Sequence, residues 1–331
     1  GDFSDGSFSF SSSVSSSRSI SNGRVISESV SSSAFLSLDV DSDGLTDVTL
    51  RIDGSVVDQA FSVKNVNGDT VIKRTGVDLS VDDLGGGIFG SSGALIGTGG
   101  DDTLRGGSDP DILNGRAGND HFFGSPGADF FIGGDGSDTI DYSGSIGSVV
   151  VRLNRSIGVR NDADGDSFES IENFIGTDFD DQVTGTAGDN RLDGGAGRDI
   201  LIGFRGDDTL IGGEGNDVLA GASEADTLFG GEGNDRLGGG NGADILHGED
   251  GDDVLEGGNG GDDHFGGAGV DTLRGGAGND TLDGGSGNDV IGGGNGDDVL
   301  LGSDGDDILV GGNGLDVLDG GAGNDTLSGR G

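Results

Sequence analysis

The sequence contains no cysteine, no methionine and no tryptophan, only one tyrosine and two prolines, and aromatic residues fill 5% of its 331 positions. Without cysteine there are no disulfides and no thiolate metal sites, so a stabilising metal would have to be held by oxygen. Basic residues are scarce as well. Seventeen Lys and Arg face 61 Asp and Glu, a formal net charge of −44. DNA and anionic membranes repel such a chain, which excludes nucleic-acid binding as its default function. No apolar run approaches the roughly 18 residues that a membrane helix needs. So few large side chains and so much charge of one sign would ordinarily leave a chain disordered, because burial cannot offset chain entropy. Two routes to order are open. A strict repeat stacks a thin continuous core, and divalent cations neutralise carboxylates.

What is abundant is glycine, 76 residues, and it is periodic. From Gly97 the chain falls into nonads of the form G-G-x-G-x-D-x-U-x, with U a large apolar residue. Typical are Gly275-Gly276-Ala277-Gly278-Asn279-Asp280-Thr281-Leu282-Asp283 and Gly320-Gly321-Ala322-Gly323-Asn324-Asp325-Thr326-Leu327-Ser328. Five nonads cover 97–141 and seventeen cover 176–328 without a slip. Position 1 is Gly in all 22; position 4 is Gly except at Asp109, Phe179 and Glu224; position 6 is Asp except at Asn190; position 8 is apolar except at His264. Composition alone does not produce such phasing.

Position 8, flanked by more polar residues, predicts a three-residue strand with one side chain turned inward. The six residues that follow must reverse the chain, which glycine permits through positive φ. Two nonads then make one 18-residue turn, and at about 4.7 Å per stacked strand the long block spans roughly 40 Å. The expected fold is all-β: a right-handed parallel β-roll solenoid, two nonads per turn, with apolar ladders inside. It also places a column of aspartates on each edge, about 5 Å apart by strand spacing. A solvated acidic face is one reading of the columns. Ligation of Ca²⁺ is the other, favoured because carboxylates so dense repel and because a flexible oxygen-lined loop suits Ca²⁺ better than Mg²⁺. The candidate ligands are Asp102, Asp111, Asp120, Asp129 and Asp138 in the first block. In the second they are Asp181, Asp199, Asp208, Asp217, Asp226, Asp235, Asp244, Asp253, Asp262, Asp271, Asp280, Asp289, Asp298, Asp307, Asp316 and Asp325.

These nonads resemble the RTX (repeat-in-toxin, hemolysin-type) calcium-binding repeats of secreted bacterial proteins. The resemblance implies Ca²⁺ between loops on one edge, held by position-6 aspartates 18 residues apart and by loop carbonyls. Same-edge neighbours number three pairs in the first block and fifteen in the second, so up to about 18 ions would offset most of the −44 charge. Asn190 is expected to weaken its pair with Asp208, and the residues replacing the position-4 glycine to disturb their turns. The resemblance also implies export by type I secretion to an extracellular or cell-surface location in bacteria. A chain that starts at Gly1 and stops three residues after its last nonad is expected to be processed or truncated, or to have its roll end covered by a partner.

Three further segments frame the blocks. Residues 1–85, rich in serine, predict a small antiparallel β domain. Strands are expected over 48–52, 56–63 and 71–72, with hairpin turns at Asp53-Gly54 and Asn67-Gly68. Within it Asp39-Val40-Asp41-Ser42-Asp43-Gly44-Leu45-Thr46-Asp47 carries the D-x-D-x-D-G spacing of a calcium loop, with Asp39, Asp41, Asp43 and Asp47 as candidate ligands, but Leu50 stands where an EF-hand has Glu. An acidic surface turn is the alternative. Residues 86–96 form a Gly-rich entry to the roll. Residues 142–175 break the period, with a strand at 149–153. They read either as a side loop or as a separate calcium site at Asp162, Asp164 and Asp166.

No catalytic constellation emerges. There is no G-x-S-x-G elbow, and the only lysines, Lys64 and Lys73, follow no phosphate-binding loop. Gly85-Gly86-Gly87-Ile88-Phe89-Gly90 fits G-x-G-x-x-G without a following helix, and His121, His247 and His264 share no ligand spacing. The expectation is a non-enzymatic, calcium-dependent module. It is either a structural element of an extracellular layer, fibre or adhesin, with homo-oligomeric contacts, or the calcium-binding portion of a secreted enzyme or toxin.

Overall fold

The nonad asks for a strand of three residues at positions 7 to 9, and the computed structural model of the chain places one in all 22 nonads. The structure describes residues 94–329 and, before them, seven strands alone: Phe8–Ser12, Arg18–Ile20, Ala34–Leu38, Val48–Ile52, Phe61–Val66, Asp69–Arg74 and Val77–Leu79. The first four make one antiparallel sheet and the last three another. Antiparallel pairing before the roll therefore agrees with expectation, with Val66 paired to Asp69, while the turn expected at Asn67-Gly68 lies outside the described residues. The strand expected over 56–63 runs instead as Phe61–Val66. Asp53-Gly54 and the acidic loop with Asp39, Asp41, Asp43 and Asp47 lie outside the described residues, and Val48–Ile52 pairs backwards with Ala34–Leu38.

From residue 94 the fold is a parallel β-solenoid in which the nonad strands within a block pair with the strands 18 residues away. Residues 1–141 with 162–171 make one compact unit, and 142–161 with 172–331 a second. In the second unit the register sets Leu192 beside Leu210, Leu210 beside Leu228 and Leu228 beside Leu246 on one face. On the other, Leu201, Leu219, Leu237, Leu255 and Leu273 stack in the same way. These side chains are wholly or almost wholly buried. The first unit has the same plan with larger residues, Phe122 beside Leu104 and Ile140, and Phe131 beside Leu113. The end of the entry segment already belongs to it, because Ala94–Ile96 pairs in phase with Ile112–Asn114.

The aperiodic segment is not a loop thrown clear of the ladders. Val150–Arg152 pairs in parallel with Gln182–Thr184, and Asn173–Ile175 with Arg191–Asp193. Ser167–Glu169 pairs with Phe130–Ile132, so Phe168 stacks on Phe131 with ring centroids 5.8 Å apart. Val151, Phe168 and Phe174 thus occupy position-8 places although the spacing between them is not nine. Only the antiparallel hairpin from Val150–Arg152 to Ile157–Val159 leaves the parallel pattern.

His264 is the one polar side chain in an apolar ladder. It is fully buried between Leu246 and Leu282, and neither ring nitrogen has a hydrogen-bond partner. Burial holds its pKa down at about 4, so the ring is neutral at physiological pH. Two orphaned buried nitrogens cost stability that a hydrocarbon would not. His264→Leu is therefore expected to stabilise the calcium-loaded protein by about 1–3 kcal/mol, read as an upward shift of its chemical-denaturation midpoint.

Candidate metal centre

Each glycine of the nonad meets a different physical demand. Positions 2 and 4 turn the chain with positive φ, as at Gly213 (109°) and Gly215 (139°). There the position-4 N–H donates to the position-3 carbonyl of the next turn, Gly197 to Glu214 at 2.7 Å, which extends the strand through the bend. Position 1 has ordinary φ and is glycine for space. A Cβ on Gly194 would collide with the carboxylate of Asp199 and come within 2.7 Å of the carbonyl oxygen of Gly212. The same cradle recurs at Gly230, between Asp235 and the Gly248 carbonyl, and at Gly257, between Asp262 and the Gly275 carbonyl. A carboxylate oxygen and a peptide carbonyl thus converge beside each of these three glycines.

The carboxylates themselves divide their labour. One oxygen, Oδ1, accepts the backbone N–H of the aspartate 18 residues earlier: Asp235 from Asp217 at 2.7 Å, and Asp271 from Asp253 at 2.8 Å. The other, Oδ2, is buried with no hydrogen-bond partner in Asp120 and in every position-6 aspartate from Asp199 through Asp307. A buried anionic oxygen without a donor is unstable as an anion, and the carboxyls respond. Burial pushes Asp199 up to about 8, with repulsion from Asp217 and Asp181 adding to it against the Asp181 N–H. Burial likewise raises Asp208, Asp226 and Asp253 to about 7, and Asp235, Asp244, Asp271 and Asp280 to about 6.

These orphaned oxygens, several of them beside a peptide carbonyl as at Gly194, Gly230 and Gly257, fit a hard divalent cation. Among the described residues no three His, Asp or Glu side chains gather around one point. An ion must therefore draw on column carboxylates completed by peptide carbonyls, a donor set for Ca²⁺, which takes six to eight oxygens in flexible geometry. A model of the RTX calcium-binding nonapeptide repeat matches residues 96–131, 117–144, 175–210, 202–237, 229–263, 265–300 and 301–331. The chain belongs to this family. Comparison with curated proteins finds no match. RTX repeats bind calcium, and their roll is a structural repeat rather than a catalytic scaffold.

Not every predicted RTX ligand sits alike. In Asp102 and Asp181 the second oxygen accepts the backbone N–H of the residue at position 2, Thr98 at 2.6 Å and Thr177 at 2.7 Å. Asp111 accepts that of Gly107 at 2.7 Å, and Asp129 the hydroxyl of Ser125 at 2.9 Å. Asp138, Asp316 and Asp325 accept from Asp120, Asp298 and Asp307 as the ladder requires. So does Asp166, which is buried and receives the Asp129 N–H at 2.8 Å, while Asp164 is exposed and Asp162 half-buried in a short 3-10 turn. Asp166 serves the column rather than a site shared with Asp162 and Asp164.

Position 2 also distinguishes the nonads. There Thr98, Thr177 and Thr186 make a tighter turn whose position-4 N–H donates to the threonine hydroxyl. Such a turn leaves position 4 without positive φ, which is why Phe179 fits; Asp109 also escapes it. Glu224, by contrast, sits at φ 74° in a turn of the open kind. The visible signal was G-T in place of G-G.

Two outcomes follow for the column. Gly248→Ala pushes a methyl group against Asp253 and is expected to lower the bound calcium by at least one ion per chain, measured by elemental analysis. In ion-free protein the carboxyls titrate above their unfolded values, so their stabilisation is complete below about pH 4 and lost as pH rises through about 6–8. With EGTA present, circular dichroism should therefore show β-structure regained on acidification from pH 8 towards 4.

Proposed function

We propose that the protein is a secreted module that folds on meeting calcium outside the cell and then serves as a structural or assembly element of an extracellular layer, fibre or adhesin. The observation that carries the folding half is the run of buried carboxylate oxygens without a donor. Without an ion they repel or must be protonated. With one they become ligands, and an ion that binds only the folded roll stabilises it by about 1.4 kcal/mol per site at ten times Kd. Summed over a column, that is a switch between an exportable coil at low cytosolic calcium and a rigid solenoid at millimolar calcium.

Support for the structural half is the extent of the repeat, which fills most of the chain with a long, acidic, two-faced solenoid. Circular dichroism is expected to report coil in EGTA and β-structure on adding Ca²⁺, with no comparable response to Mg²⁺; an unchanged β signal in EGTA at neutral pH would end the folding reading. Size-exclusion chromatography and electron microscopy at millimolar Ca²⁺ are expected to show assemblies. A strictly monomeric species would favour instead the calcium-binding portion of a secreted enzyme or toxin.

A further inference from the structure

The eighteen same-edge pairs counted from sequence are not equivalent. An ion between two turns is needed where the Oδ2 of the earlier aspartate lacks a partner, and where its turn already supplies a donor the ion has no vacancy to fill. In the second block the earlier members run from position 181 to position 307. The orphaned oxygens begin only at Asp199. The two turns before it are closed from within. Asp181 takes the Thr177 N–H on Oδ2 and, on Oδ1, the Thr177 hydroxyl at 3.1 Å and the Val149 N–H at 2.6 Å.

The next turn carries Asn190, the only departure from Asp at position 6. Its Oδ1 accepts the Thr186 N–H at 2.6 Å. Its amide Nδ2 donates to the Glu172 carbonyl at 2.8 Å and to the Thr186 hydroxyl at 3.0 Å. That NH₂ group sits among oxygens, where a cation would otherwise be. Asparagine is therefore not a weakened calcium ligand but a neutral substitute for ligand and ion together. The first block opens in the same way, with Asp102 closed by Thr98 and Asp111 by Gly107, and its first orphaned oxygen belongs to Asp120.

We infer that each block begins with one full turn that is closed by its own hydrogen bonds and takes no calcium, so that ions are held at fourteen of the eighteen same-edge positions, beginning at Asp120 and at Asp199. The fourteen are Asp120 and the thirteen aspartates from Asp199 to Asp307 in steps of nine. The inference rests on the reading of the columns as calcium sites. Its consequence is that a block starts on a template needing no metal, and each later turn then adds its ion to a surface already formed.

The experiment compares calcium content per full-length chain, after equilibration at a fixed excess of free Ca²⁺, across conservative variants whose β-structure is confirmed by circular dichroism. Asn190 shows that the roll accepts an amide at position 6, so single Asp→Asn changes are suited to the comparison. Asp181→Asn is expected to leave the ion count unchanged, whereas Asp217→Asn loses at least one. The double variant Thr186→Gly/Asn190→Asp opens a closed turn and is expected to gain one ion. Loss of an ion from Asp181→Asn equal to that from Asp217→Asn would overturn the inference while leaving the calcium columns intact. A wild-type chain that binds no calcium would instead overturn the reading beneath it.

Discussion

The structure depends on one contact, that of the position-6 carboxylate with the bare Cα of the position-1 glycine. It sets the side chain against the backbone, aims one oxygen at the N–H of the neighbouring aspartate and leaves the other inside the bend. The first oxygen knits consecutive turns together through a bond to an anion, which is stronger than one between neutral groups. The second creates a demand for positive charge. The invariance of glycine at position 1 across the 22 nonads follows from this contact and not from any conformational need, since its φ is ordinary.

The apolar ladders alone would make a weak solenoid. One Leu per nonad is a thin core, and each side chain gains about 1.5–3 kcal/mol at most on burial. Against that stand the ordering of nine residues, several of them glycine, and the repulsion within a chain of net charge −44. The proposed calcium switch therefore places charge neutralisation within the folding reaction itself. On the proposed reading, the acidic excess, an obstacle when composition alone is considered, is the feature that makes folding conditional on the medium.

The departures from the repeat acquire meaning only against this background. His264 interrupts an apolar ladder and is tolerated because burial keeps it neutral. Phe179 escapes strain since its turn is of the threonine kind and leaves position 4 in ordinary backbone space. Asn190 removes a charge where the Glu172 carbonyl and the Thr186 hydroxyl already stand ready to receive an amide. Val151, Phe168 and Phe174 keep the ladders filled through the segment where the count of nine fails, because stacking needs an apolar residue at the right height and not a constant spacing along the chain.

The nonad by itself determined the solenoid, its 18-residue turn, the inward ladder of Leu, Ile, Val and Phe, and the identity of the position-6 aspartates as the candidate ligands. These follow from periodicity, which survives any uncertainty about local geometry. Tertiary structure decided which carboxylate oxygens lack a partner. That depends on how the position-2 residue turns: Gly231 and Phe204, both at positive φ, leave Oδ2 of Asp235 and Asp208 without a donor, whereas Thr98 and Thr177 direct their N–H groups onto the carboxylates of Asp102 and Asp181. It also decided the place of Asp166, because the partner of its Oδ1, the N–H of Asp129, lies 37 residues away and no nine-residue count connects the two.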